Sequence, residues 1–175
     1  MSILYQTKIA GINYHLSINN SSCIGVVQGY CMADPNNTYN TNAIAIYTDK
    51  NKLIGYIAED ELEDFAEWSE NKVLKFIGIV APFYNEDDEP MLFGRVTFCK
   101  GDDNEKVVDT LYQLRIDYKK ELEQLIQDFN HRKRNIEDME TLRNTNSTNT
   151  KNNNSNSGCL GIIIFGLCII TAMFL

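Results

Sequence analysis

Histidine and cysteine are scarce in this chain of 175 residues, which has two histidines and five cysteines. The cysteines are scattered and form no Cys-x-x-Cys pair, which excludes a disulfide-stapled scaffold and a zinc site of the usual spacing. His15 and His131 form no recognisable catalytic pattern with a serine or cysteine. No Gly-x-x-x-x-Gly-Lys-Ser/Thr loop is present to hold nucleotide phosphates. We therefore expect no enzyme activity, no metal and no cofactor.

Positive charge is also in short supply. Lysine and arginine number 16 against 24 acidic residues, which gives a formal net charge of −8. Residues 1–100 alone hold 7 basic and 13 acidic residues, a net of −6. A general binder of polyanions gains its affinity by neutralising phosphates, so this balance argues against one. The 43% hydrophobic content excludes a wholly disordered chain.

Residues 1–100 show the alternation and turn signals of short strands. In the last of these stretches Val96 and Phe98 share one face while Thr97 takes the other, as in a half-buried strand. Short strands separated by tight turns predict a mainly β domain, a small closed barrel, with a helix over 59–68. The predicted strands are Lys8–Ile12, Gly25–Met32, Ala43–Thr48, Leu53–Ile57, Val73–Pro82 and Met91–Cys99.

The hydrophobic period changes over residues 101–143, where no glycine interrupts the chain after Gly101 and no proline occurs. Hydrophobic side chains recur there at spacings of three and four, apart from one gap at Arg132, as in a long amphipathic helix with coiled-coil character. The stripe consists of Tyr118, Leu122, Leu125, Phe129, Ile136 and Met139. Such a helix either forms a homodimer through this stripe or packs back onto the barrel.

The C-terminal part divides into a polar stretch and an apolar one. Residues 144–157 are almost all Asn, Ser and Thr, which predicts a flexible linker. Residues 158–175 carry no charge, and as a helix they would extend roughly 27 Å, close to the thickness of the hydrocarbon layer. We expect a single-pass C-terminal transmembrane tail anchor that contacts the lipid bilayer. Arg143 and Lys151 precede it, so the N-terminal domain should lie in the cytoplasm, consistent with a start that lacks the features of a signal peptide.

The most specific run in the sequence is Met32–Tyr47. Its Asp34-Pro35-Asn36-Asn37 segment predicts a rigid turn, because proline fixes φ and the Asx side chains accept hydrogen bonds from nearby amides. The strand Ala43-Ile44-Ala45-Ile46-Tyr47 follows at once. Taken alone, the run is explained by a turn and the start of a strand.

In its wider setting this run resembles the HIRAN domain. The resemblance spans about residues 5–100 and has four parts in order: Ala10–His15, Asp34–Ile46 with the return Ile54–Ile57, Gly78–Phe83 and Arg95–Phe98. It implies a small barrel related to the OB and SH3-like folds, with one or two short helices. The Asp-Pro-x-Asn-x-Tyr-x-x-Asn-Ala-Ile element is its most specific part.

The characterised kind of HIRAN domain captures the free 3′ end of single-stranded DNA in a pocket. By position, the resemblance implies that Tyr14 and Tyr39 are the rings that stack on the terminal bases. Asn37 and Asn40 would lie at the sugar and the terminal hydroxyl. Asn13 and Tyr56 would lie at the rim of the pocket. Stacking suits this role because every base has a π-face, and it contributes roughly 1–3 kcal/mol per base.

The chain departs from the DNA-binding members at four positions. Asn40 stands where those members have aspartate, and Asn13 stands where they have arginine. Ala58 and Glu59 follow the Gly-Tyr-Ile element where those members carry lysine. Favourable charges near the expected phosphates are therefore missing.

Two functions of different kinds follow from these patterns. The first is a membrane-tethered module that binds single-stranded nucleic acid, at 3′ ends in particular. The second is a protein-interaction or scaffolding module, in which the acidic barrel and the long helix bind a protein partner. The net negative charge favours the second, and the resemblance favours the first.

Overall fold

The structure, a computed structural model, describes residues 3–19, 22, 24–101 and 103–151. The chain divides into two compact units, Met1–Glu137 and Asp138–Leu175. The strands are β1 (Ile3–Ala10), β2 (Gly25–Ala33), β3 (Ile44–Thr48), β4 (Leu53–Ile57), β5 (Lys75–Tyr84) and β6 (Pro90–Lys100). The α-helices are α1 (Ile12–His15), α2 (Leu62–Ser69) and α3 (Asn104–Lys151), and a short 3₁₀ helix at Glu59–Glu61 precedes α2.

The six strands form a closed antiparallel barrel in the order β1-β4-β3-β2-β5-β6, with β6 pairing back to β1. Closure gives each of these strands two neighbours. The seam between β1 and β4 is short and joins Ile9 to Ile57 and Ala10 to Tyr56. The predicted mainly β barrel, followed by a long helix, is therefore confirmed.

Inward-facing side chains of the strands fill the barrel, and α2 closes it. Phe98 contacts Phe65 of α2 and Phe76 of β5 at ring-centroid distances of 4.8 and 5.7 Å. All three rings are buried. The helix predicted over 59–68 is present as the 3₁₀ turn and α2, with Phe65 on its inner face.

The first predicted strand was wrong in its bounds. β1 starts earlier than expected and ends at Ala10, and Ile12 belongs to α1 instead of the strand. The reason is Gly11, which adopts a φ of 69° and turns the chain out of the sheet. Ile12 is still buried, but it reaches the core from the helix.

The first part of α3 packs onto the outer face of the barrel. Tyr118 is only 4% exposed and packs with Ile77 and Ile79 of β5, and Leu122 and Leu125 border the same cluster. Of the two alternatives for the long helix, packing onto the barrel is therefore what the structure shows for this stretch. The predicted homodimer stays a prediction.

Polar and aromatic contacts join α3 to the strands as well. The guanidinium of Arg95 donates to both carboxylate oxygens of Glu121, at 2.7 and 2.5 Å. The Phe129 ring stacks on Tyr84 with centroids 4.7 Å apart. These contacts continue the packing of the helix along the sheet beyond Tyr118.

The helix extends further than predicted. It continues to Lys151, so residues 144–151, expected to belong to the linker, are helical. Polar residues without glycine or proline do not by themselves end a helix, and the Thr145 hydroxyl donates to the carbonyls of Thr141 and Leu142. The remainder of the linker and the predicted anchor at 158–175 lie outside the described residues. Within the part of the chain that is described, no helix has the length and apolar character needed to cross a membrane.

Candidate nucleic-acid interface

A cavity of about 750 Å³ opens where β1, α1, the 34–43 loop and the end of β4 meet. We call it the tyrosine cavity, because Tyr14, Tyr39 and Tyr56 all line it. The rings of Tyr14 and Tyr39 are 95% and 98% exposed, so neither serves as core packing. Each is a large flat surface held at the edge of a concave site.

The loop that carries Tyr39 is held by its own asparagines. The Oδ1 atom of Asn37 accepts hydrogen bonds from the backbone amides of Tyr39 and Asn40, at 2.9 and 3.1 Å. Asn40 in turn accepts from the amide of Asn42 at 2.9 Å. The loop is closed by a bond from the Asp34 amide to the Ala43 carbonyl at 2.8 Å. Loop shape is thus fixed before any ligand binds, and both asparagines line the cavity.

Tyr56 is the half-buried member of the cavity. Its hydroxyl donates to the Oδ2 atom of Asp34 at 3.2 Å, and its ring lies 5.5 Å from that of His15. The pKa of the Tyr56 phenol is raised, chiefly because the group is shielded from water and also because it donates a hydrogen bond to the charged carboxylate of Asp34. The phenol therefore stays protonated as a donor at neutral pH. Asp34 was predicted only as a turn residue, although its position before Pro35 in the most specific run was a signal of a further role.

Asn13 lies elsewhere. Its amide nitrogen donates to the carbonyl of Leu92 at 3.0 Å, and its Oδ1 atom accepts from the Leu92 amide at 2.8 Å. The side chain thereby continues the hydrogen bonding of β6 and ties α1 to the barrel. Of the six site residues that the sequence predicted, the other five line the tyrosine cavity and Asn13 does not.

The charged lining of the cavity is acidic. Asp34 and Glu59 line it, and no lysine or arginine among the described residues does. A neighbouring cavity of about 670 Å³, between α2 and the ends of β2 and β3, shares Asn40 and Glu59 with it. Carboxylates accept hydrogen bonds from hydroxyl and amino groups and repel phosphates. Within the described residues, no group of three or more His, Cys, Asp and Glu side chains is arranged to hold a metal ion.

Comparison with known proteins identifies the family of this barrel. The family model described as HIRAN domain matches residues 4–113, which is more than half of the chain. The chain belongs to the HIRAN domain family. The match covers the barrel of this HIRAN protein except its first residue, Ile3, and continues into the first turns of α3.

Two solved structures are similar to this HIRAN chain. One is a protein from Lactobacillus plantarum, with 18% identity and a TM-score of 0.40, covering 58% of this chain and 98% of its own. The other is the HIRAN domain of human HLTF, with 23% identity and a TM-score of 0.37, covering 64% of this chain and 91% of its own. No curated protein matches the sequence significantly.

Proposed function

We propose that this HIRAN protein binds single-stranded nucleic acid and takes a free 3′ end into the tyrosine cavity. Members of the family are known as nucleic-acid-binding modules. The observation that carries the proposal is the pair of almost fully exposed rings, Tyr14 and Tyr39, on one preformed cavity. An exposed ring is a stacking platform for any base, which suits a module that recognises an end instead of a sequence.

The charge of the cavity supports an end that carries hydroxyl groups. Asp34 and Glu59 can accept hydrogen bonds from a terminal sugar hydroxyl, whereas they would repel a terminal phosphate. Asn40 uses its Oδ1 atom for the loop, and its amide NH₂ forms no bond within the described residues. That group is a donor available for a ligand oxygen.

Tyr14→Ala and Tyr39→Ala are each expected to weaken binding of a 5′-labelled oligo-dT 12-mer by about 5- to 150-fold, which corresponds to about 1–3 kcal/mol of stacking. The measurement is fluorescence anisotropy with the full chain in mild detergent. Leu142→Ala is the control, since Leu142 is 64% exposed on α3 and does not line the cavity. A 3′-phosphorylated 12-mer should bind less tightly than one with a free hydroxyl.

The absence of binding at low salt would remove this proposal. If a protein partner were instead captured by the chain after nuclease treatment, the protein-interaction function would take its place. Equal losses for Tyr14→Ala and Leu142→Ala would show that binding occurs away from the cavity.

We further propose that residues 158–175 tether the domain to a membrane, with the barrel on the cytoplasmic side. The support is the sequence alone, 18 uncharged residues that follow a polar stretch containing Lys151. The full chain should remain in the membrane fraction after washing at high pH and high salt. A chain ending at residue 157 is the control and should be released. Recovery of both in the supernatant would contradict the tether.

A further inference from the structure

A second concave surface lies at the opposite end of β3 and β4 from the tyrosine cavity. Two adjoining depressions of about 370 and 340 Å³ meet there, and both are lined by Gln28, Asp49 and Arg115. Lys75 lines the first, and Lys50 and Lys52 line the second. We call this surface the basic groove.

The basic groove concentrates positive charge on an acidic protein. Its charged lining is made of four cations, Lys50, Lys52, Lys75 and Arg115, and a single carboxylate, Asp49. The tyrosine cavity has the reverse sign, because the two carboxylates Asp34 and Glu59 are the Asp, Glu, Lys or Arg side chains that line it in the described part of the chain. Three of the seven basic residues in the first hundred therefore lie at the groove, although that part of the chain has a net charge of −6.

Three of these cations, Lys50, Lys75 and Arg115, form no ion pair within the described residues, although the Arg115 guanidinium donates to Oε1 of Gln28 at 3.4 Å. The Asp49 carboxylate accepts a hydrogen bond from the Gln28 amide at 3.0 Å instead of pairing with a lysine. All three are exposed. Cations that outnumber the carboxylate beside them leave the groove with a net positive charge, which attracts an anionic ligand.

Aromatic side chains accompany the cations. Tyr112 of α3 lines the groove and is 66% exposed. Tyr30 also lines it and stacks on Tyr47 with ring centroids 5.6 Å apart. Cations that follow a phosphate backbone, combined with rings on which bases stack, are the two components of surfaces that bind single strands. An acidic peptide would need the cations but not the rings.

The basic groove and the tyrosine cavity are close enough for one nucleic-acid strand to contact both. Ala43, just before β3, lines the tyrosine cavity, and Thr48, its last residue, lines the groove. Five residue steps along a strand span about 17 Å. That distance corresponds to about five nucleotides of a stacked strand, in which the rise is about 3.4 Å per nucleotide.

We propose that the basic groove binds the phosphate backbone of the same single strand whose 3′ end enters the tyrosine cavity. This inference rests on the proposed function, and it assigns the two tasks of binding to two surfaces. The acidic cavity selects the end by its hydroxyls and bases. The groove supplies the attraction for phosphates that the cavity lacks.

The test compares a trinucleotide with a 12-mer, both oligo-dT with a free 3′ hydroxyl, on the full chain at 50 and 200 mM salt. The variant is Lys50→Gln with Lys75→Gln, and the matched control is Lys119→Gln with Lys120→Gln, two exposed lysines of α3 that do not line the groove. Each phosphate neutralised on a single strand contributes about −0.7 to the salt slope. Loss of two phosphate contacts should make the slope of log affinity against log salt concentration flatter by about 1.4. Between 50 and 200 mM salt, the affinity of the variant for the 12-mer should therefore fall by about sevenfold less than that of the wild type. Trinucleotide binding should be unchanged by the variant.

Each outcome decides something different. If the trinucleotide binds but the variant and the control have the same 12-mer slope, the groove assignment is overturned and the cavity proposal stands. If the trinucleotide fails to bind at low salt, the end-binding function itself falls. If a poly-glutamate peptide displaces the 12-mer as well as unlabelled oligo-dT does, the groove is a site for acidic protein segments and the inference is wrong.

Discussion

Replacing Gly55 by alanine is expected to lower the free energy of unfolding by about 2–6 kcal/mol, with about 1–3 kcal/mol from backbone strain and about the same from overpacking. Gly55 lies in β4 with a φ of 149°, a region that residues with a side chain rarely adopt. A Cβ atom there would fall far inside contact distance of the Ala10 carbonyl oxygen and of Cγ2 of Ile9. Both atoms belong to β1, so the clash would open the short seam that closes the barrel.

The matched control is Gly25→Ala. Gly25 has nearly the same φ, 152°, but nothing lies within 4 Å of its added Cβ, so this variant isolates the strain. Urea unfolding of both variants should show a clearly greater loss for Gly55→Ala. Because Tyr56 follows Gly55 and lines the tyrosine cavity, the same variant should also weaken oligonucleotide binding. Equal stability of the two variants would show that the seam tolerates the extra carbon.

Most of the barrel could be predicted because its strands carry local signals. The turn at Asp34-Pro35 and the alternation of Val96, Thr97 and Phe98 are encoded by residues close together in sequence. Gly11 was missed as the end of β1, because a glycine within an apolar run has the same pattern whether the strand continues or turns. Only the backbone conformation distinguishes the two cases.

The outer face of β6 shows a different limit of sequence reasoning. Thr97 alternates with buried residues and was expected to face solvent, yet it is 2% exposed. Its hydroxyl is hydrogen-bonded to Tyr118 of α3, a helix whose apolar stripe fits a coiled coil and a barrel face equally well. Periodicity identifies that a face is buried but not what buries it.

The candidate site could be predicted only through the resemblance. Tyr14 and Tyr39 lie 25 positions apart, and no periodicity brings α1 and the 34–43 loop to one cavity. Asn13 was assigned to the rim by the same route, although its amide is used for the backbone of Leu92. The basic groove was not predicted at all, since Lys50, Lys75 and Arg115 come together only through the packing of α3.

Tyr118→Ala is expected to destabilise the protein by about 3–5 kcal/mol, the usual cost of truncating a buried aromatic side chain. The Tyr118 ring packs against Ile77 and Ile79, and its hydroxyl accepts from the amide of Gln6 at 3.0 Å and hydrogen-bonds with Thr97. Truncation leaves a cavity beneath α3 and removes the phenol from two polar partners.

Tyr112→Ala on the same helix is the control, because Tyr112 is exposed and should cost little. Hydrogen exchange adds a readout that distinguishes helix release from a general loss of stability. In Tyr118→Ala the amides of α3 between 104 and 137 should exchange faster than those of β3 and β4, because α3 loses its main anchor while the barrel interior keeps its own core. If both variants unfold at the same urea concentration, the contact between α3 and the barrel contributes little. A loss confined to self-association would instead assign the apolar stripe of the helix to a second copy of the chain.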